Sequence, residues 1–186
     1  MKTKPSLKYQ TISPQLEKDG PYHLRVVIET PRGSRHKFAL DPEIGAFVLK
    51  ETLASGLSWP YDYGFIPSTL AADGDPLDAL VLMDEPTFPG CVLPVRLLGG
   101  IKMKEDGVEN NRYIMCLLPR DEASLSTDDY ENISDLPTKL LRELEDFLKE
   151  YSEEKGHDIK MKGICDRKAA LEDILDGRKA YEKSQA

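Results

Sequence analysis

The chain has no apolar run long enough to cross a membrane, no Cys-x-x-Cys pair and no excess of basic charge. The first absence excludes a helical span. The opening stretch, MKTKPSLKYQTISPQLEKDG, is polar, so no signal peptide or anchor is expected. Cys91, Cys116 and Cys165 are odd in number and widely spaced. They read as reduced structural thiols of a cytoplasmic protein. A net charge of −8 has the wrong sign for a nucleic-acid binder. Neither nucleic acid nor a membrane is therefore expected as a partner. Internal repeats and low-complexity tracts are missing too. What remains is 186 residues, 40% hydrophobic and 31% charged, the composition of a soluble globular chain. Residues 1–20 read as a polar N-terminal arm and 21–186 as a single domain.

Against that background one stretch is unusual. In Ala72–Val81, ADGDPLDALV, the carboxylates Asp73, Asp75 and Asp78 are separated by a glycine and a proline. Gly74 permits unusual backbone angles and Pro76 fixes φ, which rules out a helix interior and implies a stiff turn. The turn delivers Asp78 to the start of an apolar strand. Three like charges this close repel unless a cation sits among them, and hard divalent ions take oxygen ligands of this kind. An EF-hand calcium loop is excluded, because position 77 is Leu. A plain solvated turn uses the same residue types, so the stretch alone leaves both readings open.

Strands are expected at Tyr22–Glu29, Arg35–Leu40, Ala46 to about Leu53, residues 78–83, Cys91–Gly99 with an extension towards Met103, and Arg112–Leu118. Ser58–Pro67, SWPYDYGFIP, reads as an irregular aromatic segment, either the wall of a pocket or a plug for a barrel end. Lys104–Asn111 reads as a hairpin tip. After Pro119 the pattern becomes helical. Ser134 or Asp135 is expected to cap a helix from about Pro137, with Leu140, Leu144, Phe147, Leu148 and Tyr151 on one face and Gly156 at its end. A second helix follows Asp166, with a frayed tail from Lys179. Short strands first and helices last predict an α+β fold built on a small barrel.

Taken with its flanks, the acidic turn resembles that of the soluble family I inorganic pyrophosphatases. The resemblance rests on Asp73-Gly74-Asp75-Pro76-Leu77-Asp78 and on Tyr63-Gly64-Phe65-Ile66 upstream. Val26–Pro31, Gly45-Ala46, Pro89-Gly90 and Gly99–Met103 also fall at family spacing. It covers roughly residues 20 to 180. It implies a five-stranded OB-like β-barrel with additional strands and two C-terminal α-helices. It also implies Mg²⁺ dependence, with Mn²⁺ as an alternative, hydrolysis of pyrophosphate to two phosphates, and a homo-oligomer, a hexamer by resemblance.

By match of position the resemblance makes Asp73 and Asp78 metal ligands and Glu29 a ligand through water. Asp75 becomes the group that takes a proton from, or orients, the attacking water. Lys37, Tyr63, Arg112 and Tyr151 become phosphate contacts, with Lys37 and Tyr63 also part of the catalytic set. Chemically, two cations about 3.5–4 Å apart acidify a shared water and offset the charge of the substrate. Neighbouring cationic side chains then stabilise the leaving phosphate.

The sequence departs from the family on the phosphate side. A family glutamate is Ala39, an arginine is Glu51 with Lys50 beside it, a tyrosine is Trp59, and the lysine after Tyr151 is Ser152. Two metal-binding aspartates fall on Glu105 and Asn110, with Asp106 or Glu109 as substitutes if the loop is shifted by one residue. In a regular strand Lys50 points away from the face of Glu51, and only a bulge brings it round. These losses leave two further readings, a phosphoanhydride hydrolase of another substrate and a catalytically silent barrel acting as a binding or assembly module.

Overall fold

The structure is a computed structural model that describes residues 9–15, 20–118 and 130–186. In chain order the elements are β1 (His23–Thr30), β2 (His36–Asp41), β3 (Ala46–Thr52), β4 (Asp62–Phe65), β5 (Asp78–Leu82), β6 (Val92–Glu105), β7 (Val108–Glu109), β8 (Arg112–Leu117), α1 (Thr138–Glu154), β9 (Ile159–Asp166) and α2 (Arg167–Ser184). Strand pairing runs β1–β4–β5–β8–β6, and β6 pairs back onto β1. Five strands thus close on themselves, as the OB-like expectation requires. The β5–β8 pair is parallel and the others in the ring are antiparallel. β7 and β9 add to the far half of the long strand β6, and β2–β3 form a separate hairpin.

Both faces of the ring are buried. β5 sends Ala79 and Val81 into a core shared with Leu24, Val26 and Ile28 of β1 and with Ala170 and Ile174 of α2. Its alternate residues Leu80 and Leu82 join Trp59, Tyr63, Leu144, Phe147 and Leu148 under α1. A strand buried on both sides reads as a continuous apolar run, as Ala79–Leu82 does. The helical stripe expected at Leu140, Leu144, Phe147, Leu148 and Tyr151 is the inner face of α1, with Leu140 half-buried, and α2 buries Ala170 and Ile174.

Several local expectations are corrected. The aromatic segment is not wholly irregular, because Asp62–Phe65 is a buried strand between β1 and β5. Its length of four residues, one of them glycine, hides the alternation. Ile159–Asp166 is also a strand; its half-exposed, glycine-containing pattern carries no apolar period. Neither Ser134 nor Asp135 caps α1. The Asp135 carboxylate instead accepts from the Glu131 and Asn132 backbone N–H groups, closing a 3₁₀ turn at Ile133–Asp135. The tail beyond Lys179 stays helical to Ser184. Gly156 does stop α1, in the left-handed region at φ 79°, with its N–H bonded to the Glu153 carbonyl.

Of the arm expected over residues 1–20, only 9–15 and Gly20 lie among the described residues. Residues 9–15 are tied to β1 by Arg25, whose Nη1 donates to the carbonyls of Ser13 and Gln15.

Candidate active site

The acidic turn is held by its own backbone. The Ala71 N–H donates to the Asp75 carbonyl at 2.7 Å, and the Asp75 N–H donates to Asp73 Oδ1 at 3.1 Å. Gly74 sits at φ 95°, which a side chain would strain. Behind the turn, buried Thr69 accepts the Leu77 N–H and donates to the Ile66 carbonyl. The turn thereby hangs from the Tyr63–Ile66 segment, and Asp78 emerges as the first residue of β5, opposite Phe65.

Asp73, Asp75 and Asp78 line one cavity of about 360 Å³ together with Glu29, Lys37, Tyr63, Glu105, Asn110, Arg112 and Tyr151. These ten residues, given a metal, catalytic or phosphate role by match of position, therefore line one space, while Asp106 and Glu109 do not. Lys50 and Lys155 line it as well. A second cavity of about 330 Å³ on the other side of the turn presents Glu109, Asp173 and Asp176 but no lysine or arginine. A polyanion has no counter-charge there.

Two of the charged groups reach the cavity through β-bulges. In the β1–β4 pairing, Ile28 lies opposite Gly64 and Thr30 opposite Tyr63, so Glu29 is the extra residue. In the β2–β3 pairing, Lys37 lies opposite Glu51 and Phe38 opposite Leu49, so Lys50 is the extra residue. Bulges re-aim a side chain that regular alternation would point elsewhere. The orientation of Lys50 away from the site, expected for a regular strand, is corrected for this reason.

The electrostatics are those of carboxylates buried beside one another. Burial pushes Glu29 up to about 7, against a 2.7 Å hydrogen bond from the Leu40 N–H, and Asp78 and Asp75 add repulsion. Asp75 is raised by burial and then by Asp73 and Asp78. Asp78 is paired with the buried Arg112, Oδ2 to Nη1 at 3.0 Å, and accepts from the Tyr63 hydroxyl. Burial works against the Arg112 charge, but Asp78, Tyr63 and Glu105 more than offset it. The Arg112 Nε is buried with no partner among the described residues.

Lys37 sits in an aromatic box. Its Nζ lies 5.3 Å from the Tyr63 and Tyr151 ring centres and 5.9 Å from that of Trp59, and donates to the Tyr151 hydroxyl at 3.0 Å. Trp59 packs 4.4 Å from Tyr63 and 5.2 Å from Tyr151, so it forms a wall behind the ammonium. Burial lowers the Lys37 pKa, and Lys155 and Arg112 lower it further.

The loop register is also fixed. Asn110 lines the cavity and its Oδ1 accepts from Arg112 Nη1 at 2.5 Å. Asp106 is turned outward to the His157 ring and the Asp158 N–H, and Glu109 faces the second cavity, so neither replaces Asn110. Glu105 accepts from Ser152 Oγ at 2.8 Å. Lys155 escaped the sequence reading, although its spacing of four from Tyr151 places both on one helix face.

Among the described residues no three His, Cys, Asp or Glu side chains close round a single point. The carboxylates are instead spread along the cavity wall. That suits a small hard ion bound through one or two carboxylates, water and substrate oxygens rather than by an all-protein cage. Burial first, and then the neighbouring carboxylates, raise Glu29 and Asp75, and a cation among them would relieve both.

Comparison with known proteins agrees with this geometry. The family model described as inorganic pyrophosphatase matches residues 26–182. The inorganic pyrophosphatase of Thermus thermophilus is 41% identical over 157 residues, 83% of this chain and 87% of that one. That of Methanosarcina mazei is 37% identical over 160 residues, 86% of this chain and 92% of its own. A crystal structure of inorganic pyrophosphatase from Thermus thermophilus superposes with a TM-score of 0.84 at 36% identity, covering 94% of this chain and 99% of that one. On fold, motif and matched length together, the chain belongs to the inorganic pyrophosphatase family, whose membership implies a divalent metal cofactor.

Proposed function

We propose that this cavity hydrolyses inorganic pyrophosphate to two phosphates, with Mg²⁺ as its metal. One observation carries the reading: carboxylates suited to hard cations and ammonium and guanidinium groups suited to phosphate line the same 360 Å³ space. Asp73, Asp78 and Glu29 would hold the metal, with Glu105 and Asn110 as further oxygen donors. When bound, Mg²⁺ supplies charge neutralisation and makes a nearby water more acidic.

The chain's own groups do the rest. Asp75, raised by burial and by its neighbours, is placed to take the proton of the attacking water. Lys37 and Arg112 meet the phosphate oxygens, and the Tyr63 hydroxyl fixes Asp78. Tyr151 orients the Lys37 ammonium. Lys50, brought round by its bulge, supplies a cation close to the position where Glu51 stands in place of the family's arginine.

Phosphate release from pyrophosphate with Mg²⁺, followed colorimetrically, tests the reading. Turnover is expected, and Asp75→Asn lowers kcat by about 100-fold or more, the lower end of the range for loss of a positioned base. Release of phosphate from a nucleotide or polyphosphate but none from pyrophosphate would overturn the substrate. The homohexamer and the cytoplasmic location belong to the same proposal, and sedimentation equilibrium checks the first of them.

A further inference from the structure

Both family cation positions that this chain has lost are engaged in hydrogen bonds of their own. Glu51 accepts the Tyr151 hydroxyl, and buried Ser152 donates to Glu105. Neither side chain is available to hold phosphate. One helical turn beyond Tyr151, at the C-cap of α1, stands Lys155. Its Nζ donates to the Tyr151 hydroxyl at 3.3 Å, lies 4.9 Å from the centre of that ring and 3.6 Å from Glu51 Oε2. Its side chain is 35% exposed, so the ammonium borders the cavity and remains accessible.

The Tyr151 oxygen therefore accepts from two ammonium groups, Lys37 and Lys155, while donating to one carboxylate. Two cations converging on one neutral oxygen repel each other, and Lys155 is among the charges that disfavour the Lys37 ammonium. A multiply charged anion between them removes that conflict. An ordinary helix C-terminal lysine interacting with the helix dipole would need neither the tyrosine contact nor the glutamate.

We infer that Lys155, positioned by Glu51, is a phosphate-binding residue of this site, restoring from α1 the cation missing at positions 51 and 152. Glu51 is then the tether that holds the ammonium at the cavity mouth, which gives the carboxylate a role in place of simple repulsion. The inference rests on the pyrophosphate reading for the identity of the anion.

The test compares wild type with Lys155→Ala, Lys155→Arg and a control, Lys149→Ala, whose side chain pairs with Glu153 on the exposed part of α1. KM for pyrophosphate in Mg²⁺ is expected to rise about tenfold in Lys155→Ala, equivalent to about 1.4 kcal/mol, while kcat changes less than threefold. Lys155→Arg recovers most of the loss and Lys149→Ala changes nothing. Binding of imidodiphosphate, a non-hydrolysed analogue, weakens by a similar factor in a calorimetric titration. For the tether, Glu51→Gln shifts KM in wild type but has no effect once Lys155 is Ala. An active wild type whose KM stays within twofold on Lys155→Ala overturns the inference. If wild type binds imidodiphosphate through Lys155 yet releases no phosphate from pyrophosphate, the hydrolysis reading fails and the contact stands.

Discussion

Glu29 and Lys50 share one structural circumstance: each is the unpaired residue of a β-bulge, and each bulge turns its side chain into the same cavity. One carries the charge that suits a metal and the other the charge that suits phosphate. The bulges are thus where the barrel wall and its neighbouring hairpin depart from period two in order to face one cavity. The same local departure explains why the chain tolerates Glu51 at a family cation position. With Lys50 looped out, Glu51 stays opposite Lys37 and meets Tyr151 from there.

The Lys37 ammonium is buried among aromatic rings, so it gives up its proton below the usual lysine range. The protonated form is the one that meets phosphate, and kcat/KM is expected to fall on an alkaline limb that begins earlier than for an exposed lysine. Lys37→Arg should abolish that limb, because a guanidinium does not titrate there, at a cost of about tenfold in rate from altered geometry. The sign for stability is the reverse. Between the lowered folded pKa and the ordinary unfolded one, the unfolded chain holds the extra proton, so stability rises with pH across that window. Lys37→Met is expected to raise the thermal midpoint by about 2–4 °C at neutral pH, with the gain shrinking as pH climbs. A pH–rate profile paired with melts at several pH values checks both signs.

Gly64 is the close approach that the Tyr-Gly-aromatic-Ile pattern encodes. A Cβ there would lie 2.0 Å from the Val27 carbonyl oxygen and 2.8 Å from the Ile28 Cα, both backbone atoms that cannot swing aside. Gly64→Ala must push β1 and β4 apart beside Glu29. We expect a loss of about 3 kcal/mol or more and a melting midpoint lower by roughly 6–12 °C. Gly107→Ala, with open space but a left-handed φ of 83°, carries backbone strain without a clash and serves as the comparison in a chemical-denaturation series.

How much of this was legible from residues alone follows from the physics of each element. Ala79–Leu82, the stripe of α1 and the acidic turn announced themselves, because apolar runs, helical spacing and clustered like charges are local signals. Glu29 and Lys50 could be placed only through register, and a bulge leaves no mark in composition. The same limit applied to β4 and β9, whose pairing partners, rather than their own residues, make them strands. Loop register at Asn110 was open for a related reason: Asp106, Glu109 and Asn110 differ in direction only once the hairpin of β6 and β7 is closed and Asp106 is taken by His157.

Asn110 presents an amide oxygen where the family places a carboxylate, and that oxygen already accepts from Arg112. Asn110→Asp adds one negative charge to the cavity without changing shape. Calorimetric titration with Mg²⁺ and with Mn²⁺ is expected to show affinity raised by about tenfold, a plausible scale for one added charge near a divalent ion. An unchanged affinity would mean that position 110 serves Arg112 alone and takes no part in holding metal.

Asp78 cannot be judged by its alanine variant, and the reason lies in what surrounds it. It is the carboxylate that neutralises Arg112, whose side chain is 6% exposed, and it also accepts from the buried Tyr63 hydroxyl. Asp78→Ala leaves a buried guanidinium without its counter-charge, which costs about 3–5 kcal/mol, so lost activity would follow from lost fold. Asp78→Asn keeps the shape and one acceptor oxygen, but it removes the charge that both Arg112 and a cation need. We expect Asp78→Asn to melt cooperatively, below wild type but above Asp78→Ala because one acceptor remains, and to bind Mg²⁺ at least tenfold more weakly, with phosphate release falling in step. Asp78→Ala should lose both together. Should Asp78→Asn bind Mg²⁺ as wild type does, the residue would be a partner for Arg112 only, and the acidic turn would have to hold its cation through Asp73 and Asp75 instead.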